Sequence, residues 1–305
     1  MSDVYSAVSP SDEITSPRHR LLDATGHDQL RDAPDAHRRL QALIANWLRM
    51  ENVVCLLGAG CSVSESIGGR TMGQLEDAVL SLVREKWKTN EPIKNLIEAR
   101  QAEKDGADAL GFEKWLSILS SVSSLTSQKG SPVEAVSFKV AGIEIKTLDD
   151  LLKDIESAIY GLCAVMLDQP SESPSGHHAF FGKLIARDPS LGRSQVFTLN
   201  YDAVIEQALD HLGIYYFDGF SGRVEPKFDP ACYGHDLYYP GNVSEGRVRR
   251  FDRFLHVYKL HGSVHWVRRS DGQISAKQPS LSRAYPAGLE SGDSQRSADE
   301  RVWRP

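Results

Sequence analysis

Residues 52–62 read Asn-Val-Val-Cys-Leu-Leu-Gly-Ala-Gly-Cys-Ser and carry the strongest indication of fold class in the chain. Val53 to Leu57 is a short, continuous apolar run with β-branched members, which is typical of a strand buried on both faces. The run stops at the glycines of residues 58–60, and an amphipathic helical pattern follows, with apolar residues of 75–83 on one side. A strand, a glycine turn and a helix in this order predict the opening of a doubly wound α/β fold.

The same pattern returns twice towards the C-terminus. Gln195 to Leu199 is strand-like and is followed by Asn-Tyr-Asp and a helical stretch over 203–212. A second apolar strand runs to about Leu260, stops at His-Gly-Ser, and gives way to another strand from Val264. Residues 76–190 lie between these segments and show mainly helical spacing. The sequence therefore predicts a Rossmann-like doubly wound parallel sheet with an inserted, mainly helical subdomain.

The domain boundaries follow from changes in composition. Residues 1–36 are rich in Ser, Asp, Pro and Arg without a hydrophobic period, which predicts a disordered tail. Residues 37–75 and 191–270 would form one discontinuous Rossmann-like domain, and 76–190 the helical insertion. Residues 284–305 show no strand-like run, so we expect 271–305 to be poorly structured or truncated.

Composition and charge exclude several classes of protein. The 305 residues carry 35 Lys and Arg against 41 Asp and Glu, a net charge of -6, so direct nucleic-acid binding is not expected. The four cysteines form no C-x-x-C pair, and the histidines show no zinc-ligand spacing, so we expect no metal. No apolar stretch approaches the roughly 20 residues that span a bilayer, and the N-terminus has no signal-peptide core. We therefore expect a cytoplasmic protein without membrane contact.

Polar residues follow three separate apolar strands. Gly58, Gly60 and Ser62 follow the first, Asn200 the second, and His261 the third, beside a glycine that leaves room for a ligand. The carboxyl ends of parallel strands converge on one cleft, where glycines let backbone N–H groups approach a phosphate. Each residue also has an ordinary structural interpretation, as a glycine turn, a turn asparagine or a structural histidine.

Together these segments resemble the sirtuin-like superfamily. The matching segments are GAGCS at 58–62, TLNYD at 198–202 and KLHGSVHW at 259–266, in the family's order and each after an apolar strand. The zinc-binding C-x-x-C pairs of the protein deacylases are missing, and SIGGRTMGQL stands where those enzymes carry a Pro-Asp-Phe-Arg segment. The resemblance is closer to a bacterial anti-phage branch that hydrolyses NAD to nicotinamide and ADP-ribose. Its members often act as homo-oligomers beside a helicase-like or Argonaute-like partner.

The resemblance implies a role for each site residue. Asn200 would position a water and the ribose, and His261 would act as a general base on the ribose hydroxyls. Asp202 would contact the nicotinamide ribose or carboxamide, although a helix cap explains it equally well. The remaining NAD-binding candidates are the pyrophosphate loop Gly58, Ala59, Gly60 and Ser62, and the supporting residues Thr198, Gly262 and Ser263. NAD is then the substrate, and no metal takes part.

Three other functions stay open. A module that binds NAD or ADP-ribose without turnover is favoured by the short C-terminal segment and opposed by the intact Asn200 and His261. A residual protein deacylase would be revealed by removal of acyl groups from lysine. A hydride-transferring dehydrogenase would also use the glycine loop, but the acidic residue about 20 positions further on is missing.

Overall fold

The computed structural model describes residues 35–64, 66–103, 110–126, 139–140, 142–171, 175–240, 249–277 and 300–303, together with Thr25 and Asp28. The predicted tail at 1–36 therefore lies almost entirely outside the described residues. The chain divides into two units, Met1–Glu51 and Asn52–Pro305. The helix of the first unit is α1 (Ala36–Trp47). The domain boundaries given above remain predictions.

The second unit holds the remaining elements. Its described helices are α2 (Met72–Lys86), α3 (Glu91–Glu103), α4 (Phe112–Thr126), α5 (Ile145–Cys163), α6 (Gly176–Ile185) and α7 (Val204–His211). Its described strands are β1 (Val54–Leu57), β2 (Lys139–Val140), β3 (Ile143–Glu144), β4 (Gln195–Thr198), β5 (Tyr215–Phe217), β6 (Phe220–Ser221), β7 (Lys227–Phe228), β8 (Phe254–Lys259), β9 (Gly262–Arg268), β10 (Ile274–Ala276) and β11 (Glu300–Trp303).

A four-stranded parallel sheet carries the predicted site. Its order is β1-β4-β8-β5, and every neighbouring pair is parallel. The last residues of three strands, Leu57, Thr198 and Lys259, lie side by side in register. The predicted Rossmann-like α/β fold with a parallel sheet is confirmed, and the segments that follow β1, β4 and β8 leave the sheet at the same edge.

The helices between β1 and β4 form a layer with its own core. α2 begins at a capping box in which Thr71 accepts from the Gln74 N–H and Gln74 accepts from the Thr71 N–H. Apolar residues of α2, α3, α4 and α5 pack into one buried cluster. The helical insertion expected from the spacing is thus present, with the hairpin β2–β3 before α5.

The prediction that β1 is buried on both faces is wrong. Val54 and Leu56 are each 64% exposed, whereas Val196 and Val257 on the neighbouring strands are fully buried. β1 is the edge strand of the sheet, with β4 on one side only. An apolar run predicts a strand, but it cannot distinguish a central strand from an edge strand whose outer face is uncovered.

A second sheet extends beyond the parallel one. Its order is β11-β9-β10-β7-β6, and its pairs are antiparallel. The strand predicted from Val264 begins earlier, at Gly262, directly after the corner at His261. The prediction that 284–305 holds no strand is wrong at Glu300–Trp303, because a four-residue strand is too short to show alternation and is defined by its pairing with β9. Residues 278–299 and 304–305 lie outside the described part of the chain.

Candidate nucleotide site

The cleft is built from the three turns that follow β1, β4 and β8. A short 3₁₀ turn, Ala59–Cys61, follows β1. Leu199 donates its N–H to the Leu57 carbonyl and Leu260 to the Thr198 carbonyl, both at 3.0 Å. These bonds continue the strand register one residue past the sheet. The first residues of each turn are therefore held at a fixed spacing.

The structure brings three of the predicted site residues into direct contact. The Asn200 side-chain amide Nδ2 donates to Ser62 Oγ at 3.0 Å, and the Asn200 backbone N–H donates to Thr198 Oγ1 at 3.0 Å. All three side chains are buried. With Nδ2 directed at Ser62, the Asn200 side chain has its carbonyl oxygen Oδ1 as an acceptor and the second hydrogen of Nδ2 as a donor for a ligand.

The glycine loop leaves open space where side chains would stand. Cys61 and Ser62 donate their N–H groups to the carbonyls of Gly58 and Ala59, each at 3.0 Å, which closes the turn. A Cβ built on Gly58 or Gly60 would meet no atom within 4 Å. The Gly58 backbone is extended, with φ -114°. Neither the packing of the protein nor the Gly58 backbone requires glycine there, so the space suits the approach of a ligand to the main chain.

Gly69 is a site-supporting residue that sequence analysis missed. A Cβ at Gly69 would lie 2.2 Å from the Ser62 backbone oxygen and 2.8 Å from Ser62 Cβ. The segment before α2 therefore packs directly behind Ser62, and only a glycine fits. The run Gly68-Gly69 was a visible signal, but the contact it serves depends on the fold.

His261 lies at the corner between β8 and β9 and is exposed. Its ring centroid lies 6.2 Å from that of Tyr201. Gly262 follows with φ +79°, a conformation that favours glycine. Among the described residues, no hydrogen bond joins His261 to Asn200; the two follow the neighbouring strands β8 and β4.

Asp202 and Ser263 both make contacts within the protein. Asp202 Oδ1 accepts from the Val204 N–H at 3.1 Å, in a turn just before α7. The N-cap of α7 is Ala203, and no side-chain hydrogen bond caps the helix, so Asp202 is not the helix cap that the sequence suggested. Ser263 is buried, and its hydroxyl donates to the Tyr201 carbonyl at 3.1 Å. Ser263 therefore ties the corner after β8 to the turn after β4.

The thiols near Asp202 are held in their protonated form. Burial, with a smaller effect of the Asp202 charge, raises the pKa of Cys163 to about 12. Burial and the same charge also raise the pKa of the Cys61 thiol, against a hydrogen bond from the backbone of Gly58. A nucleophilic cysteine needs a lowered pKa, so neither thiol suits that chemistry.

His177 is a second residue whose position the sequence did not reveal. It lies in the first turn of α6, and its imidazole hydrogen-bonds the Cys61 backbone. Burial lowers the pKa of His177, and the charge of Asp202 opposes this effect. His177 therefore lies against the glycine loop through the Cys61 backbone.

Two other kinds of site find no support in the described residues. Within that part of the chain, no group of three or more His, Cys, Asp or Glu residues could hold a metal ion. No described helix is long and apolar enough to cross a membrane. A shallow pocket at the opposite edge, lined by residues such as Arg187, Ser194 and Phe254, contains none of the predicted site residues.

Comparison with known proteins agrees with the geometry. The family model described as the SIR2-like domain matches residues 194–283. This range includes Asn200 and His261, whereas the glycine loop at 58–62 lies outside it. No curated protein matches the chain. The SIR2-like match over residues 194–283 supports the resemblance to the sirtuin-like superfamily predicted from the three motifs, and with it a function connected with NAD.

Proposed function

We propose that this protein is an NAD hydrolase that cleaves the bond between nicotinamide and ribose and releases ADP-ribose. The observation that carries the proposal is the contact of Asn200 with Ser62, which joins the turn after β4 to the glycine loop after β1. A ligand that spans both turns needs an anionic part near the loop and a polar, reacting part near Asn200. NAD has both.

This reaction does not need a general acid. Nicotinamide leaves as a neutral molecule from a cationic precursor, so no group has to protonate it, and the transition state resembles an oxocarbenium ion. Asn200 Oδ1 would accept a hydrogen from the attacking water and so direct it at the anomeric carbon. His261 would accept a proton from that water or from a ribose hydroxyl, a task that suits imidazole near neutral pH.

The remaining predicted residues would bind the rest of the substrate. The open space above Gly58 and Gly60 would admit the pyrophosphate to the main chain, with Ser62 oriented towards it through Asn200. Asp202, Thr198, Gly262 and Ser263 would hold these turns in place. The four cysteines form no C-x-x-C pairs, which favours hydrolysis over deacylation of a protein.

The biological role is part of the same proposal. By its resemblance, the protein would deplete cytoplasmic NAD as an effector of anti-phage defence. It would act as a homo-oligomer, with a helicase-like or Argonaute-like protein as its partner.

The test is release of nicotinamide from NAD by the full chain, with Asn200→Ala and His261→Ala measured in parallel. Asn90→Ala is the matched control, because Asn90 also makes one side-chain hydrogen bond, to the Ile93 N–H at 3.2 Å, but lies outside the site. We expect release by the wild type and the control, and loss of at least about 100-fold in both site variants. Release that survives both substitutions would contradict the assignment of the site.

One observation favours binding without turnover as a second candidate. His261 is exposed, and among the described residues no hydrogen bond joins it to Asn200. Calorimetry with ADP-ribose separates the two functions. Binding that depends on Ser62 and Gly60, without any release of nicotinamide, would support a binding module.

A further inference from the structure

A buried ion pair lies at the start of the KLHGSVHW segment, residues 259–266. Lys259 is the last residue of β8, and its ammonium Nζ donates to Glu206 Oε1 at 2.8 Å. The side chains of Lys259 and Glu206 are only 1% and 8% exposed. Removing both charges from water costs several kcal/mol, which their attraction offsets only where the geometry is good and further hydrogen bonds are made, so the pair calls for an explanation.

The same ammonium reaches a third group. Lys259 Nζ also donates to the backbone carbonyl of Asp202, in the turn that follows β4. One side chain therefore joins the end of β8, the turn after β4 and the first turn of α7. Asn200 lies two residues before the bonded carbonyl, and His261 lies two residues after Lys259.

The charges around Glu206 make it dependent on Lys259. Burial acts to raise the pKa of Glu206, but the charge of Lys259 and the hydrogen bond from its ammonium hold the pKa below its usual value. Burial lowers the pKa of His265 to about 4, so its imidazole is neutral at pH 7. Glu206 Oε2 has no hydrogen-bond partner among the described residues. Without the ammonium, the buried carboxylate would lose its charged partner.

Beyond the bond between the Leu260 N–H and the Thr198 carbonyl at the strand ends, two neutral bonds hold the same turns more weakly. The Val264 N–H donates to the Tyr201 carbonyl at 2.9 Å, and Ser263 Oγ donates to the same carbonyl at 3.1 Å. These two bonds hold the turn after β4 at the Tyr201 carbonyl. Lys259 holds the same turn one residue further on, at the Asp202 carbonyl. A charged donor contributes more than a neutral one in a buried setting.

We propose that Lys259, through Glu206 and the Asp202 carbonyl, is a positioning residue that sets the spacing between Asn200 and His261. The structural part of this proposal stands on the contacts alone, and its catalytic consequence rests on the proposed NAD hydrolysis. Removing the ammonium should release the turn after β4 from the corner after β8. Misplacement of catalytic groups by about 1 Å can lower a rate by about 100-fold.

The chain offers a matched control. Arg100 Nε donates to Glu76 Oε1 at 2.7 Å, and these side chains are 3% and 8% exposed. This pair joins α3 to α2 within the helical layer and contacts neither turn of the site. Lys259→Met and Arg100→Met therefore each leave one buried carboxylate without its cation, and only the first does so at the site.

Hydrogen exchange tests the positioning without any ligand. The amides of Leu199, Leu260 and Val264 are bonded across the turns and report their opening. At a temperature where both variants are folded, we expect Lys259→Met to speed exchange at these amides by about tenfold or more, and Arg100→Met to leave them as in the wild type. If Lys259→Met does not fold, Glu206→Gln keeps an acceptor for the ammonium, removes the charge and should show the same change more weakly.

Kinetics separates this proposal from the proposed function. If the wild type releases nicotinamide, Lys259→Met should lower kcat by at least about tenfold with KM changed much less, while Arg100→Met retains kcat. If the wild type releases none but the amides still open only in Lys259→Met, the positioning role stands and the hydrolase proposal fails. Exchange unchanged in Lys259→Met, or equally faster in Arg100→Met, would overturn the positioning role.

Discussion

Ser62 and Asn200 are 138 residues apart in the sequence and share a buried hydrogen bond of 3.0 Å between Ser62 Oγ and Asn200 Nδ2. The bond connects the turn after β1 with the turn after β4. It also orients the amide, so that the Asn200 oxygen Oδ1 remains available to accept a hydrogen bond from a ligand. The contact thus links a loop suited to phosphate with a residue suited to direct a water.

Ser62→Ala should destabilise the protein and weaken nucleotide binding together. The substitution leaves the buried Asn200 amide without its acceptor, which costs about 1–3 kcal/mol of unfolding free energy. Urea unfolding and calorimetry with ADP-ribose measure the two effects. Ser121→Ala is the control, because that exposed serine only donates to the Ser117 carbonyl within α4. Equal unfolding free energies for the two variants would contradict the importance of the bond.

Gly60→Ala should weaken ADP-ribose binding while leaving stability within about 0.5 kcal/mol of the wild type. The added methyl group meets no protein atom within 4 Å, so it can only obstruct a ligand. Gly73→Ala, in the first turn of α2 and also in open space, should retain full binding. Full binding by Gly60→Ala would show that the ligand does not approach this part of the loop.

Unlike Gly60→Ala, Gly69→Ala should lower the stability of the folded protein, because its methyl group would clash with the protein and not with a ligand. Its methyl group would lie 2.2 Å from the Ser62 backbone oxygen, so the loop has to move. We expect a loss of about 1–3 kcal/mol in unfolding free energy, as for overpacking elsewhere, together with weaker binding. Unchanged stability in urea would show that the segment before α2 yields without disturbing Ser62.

Because the pKa of His265 is lowered by folding, the free energy of unfolding should decrease in mild acid. Its pKa is lowered from 6.5 to about 4 in the folded protein, chiefly by burial, with Glu206 raising it and Lys259 lowering it. Between these values the unfolded chain binds a proton that the folded protein does not. Unfolding free energy should therefore decrease as pH falls from 6.5, by about 1.4 kcal/mol per unit and about 3 kcal/mol in total near pH 4.

Urea unfolding of the wild type and His265→Gln at several pH values between 7 and 4 isolates this effect. Other groups titrate in both proteins, so the difference between the two curves belongs to His265. We expect His265→Gln to show the shallower decrease. Parallel curves would mean that the histidine titrates alike in the folded and unfolded states.

Tyr201→Phe should weaken the attachment of the turn after β4 to helix α4. The Tyr201 hydroxyl donates to Glu113 Oε1 at 2.7 Å, and its loss should lower the unfolding free energy by about 1 kcal/mol. Tyr215→Phe is the control, because Tyr215 lies 58% exposed at the edge of the sheet. A larger loss in the control than at Tyr201 would contradict this account.

Local patterns predicted the strands and turns that bear the site. The apolar runs before Gly58, Asn200 and His261 fold as β1, β4 and β8, and their ends align in register. The same patterns wrongly predicted that β1 is buried on both faces, and they did not predict β11 at all. The exposure and the pairing of a strand depend on its neighbours in the sheet rather than on its neighbours in the sequence.

The residues at the strand ends are predictable from local patterns, because hydrophobic periodicity and glycine turns are set by adjacent residues. Three contacts follow only from the folded arrangement: Asn200 with Ser62, Gly69 behind Ser62, and Lys259 with Glu206, which is 53 residues away in the sequence. Such contacts depend on strand register and on the packing of helices between β1 and β4. No short-range pattern encodes either, since both arise only when distant segments pair and exclude water together.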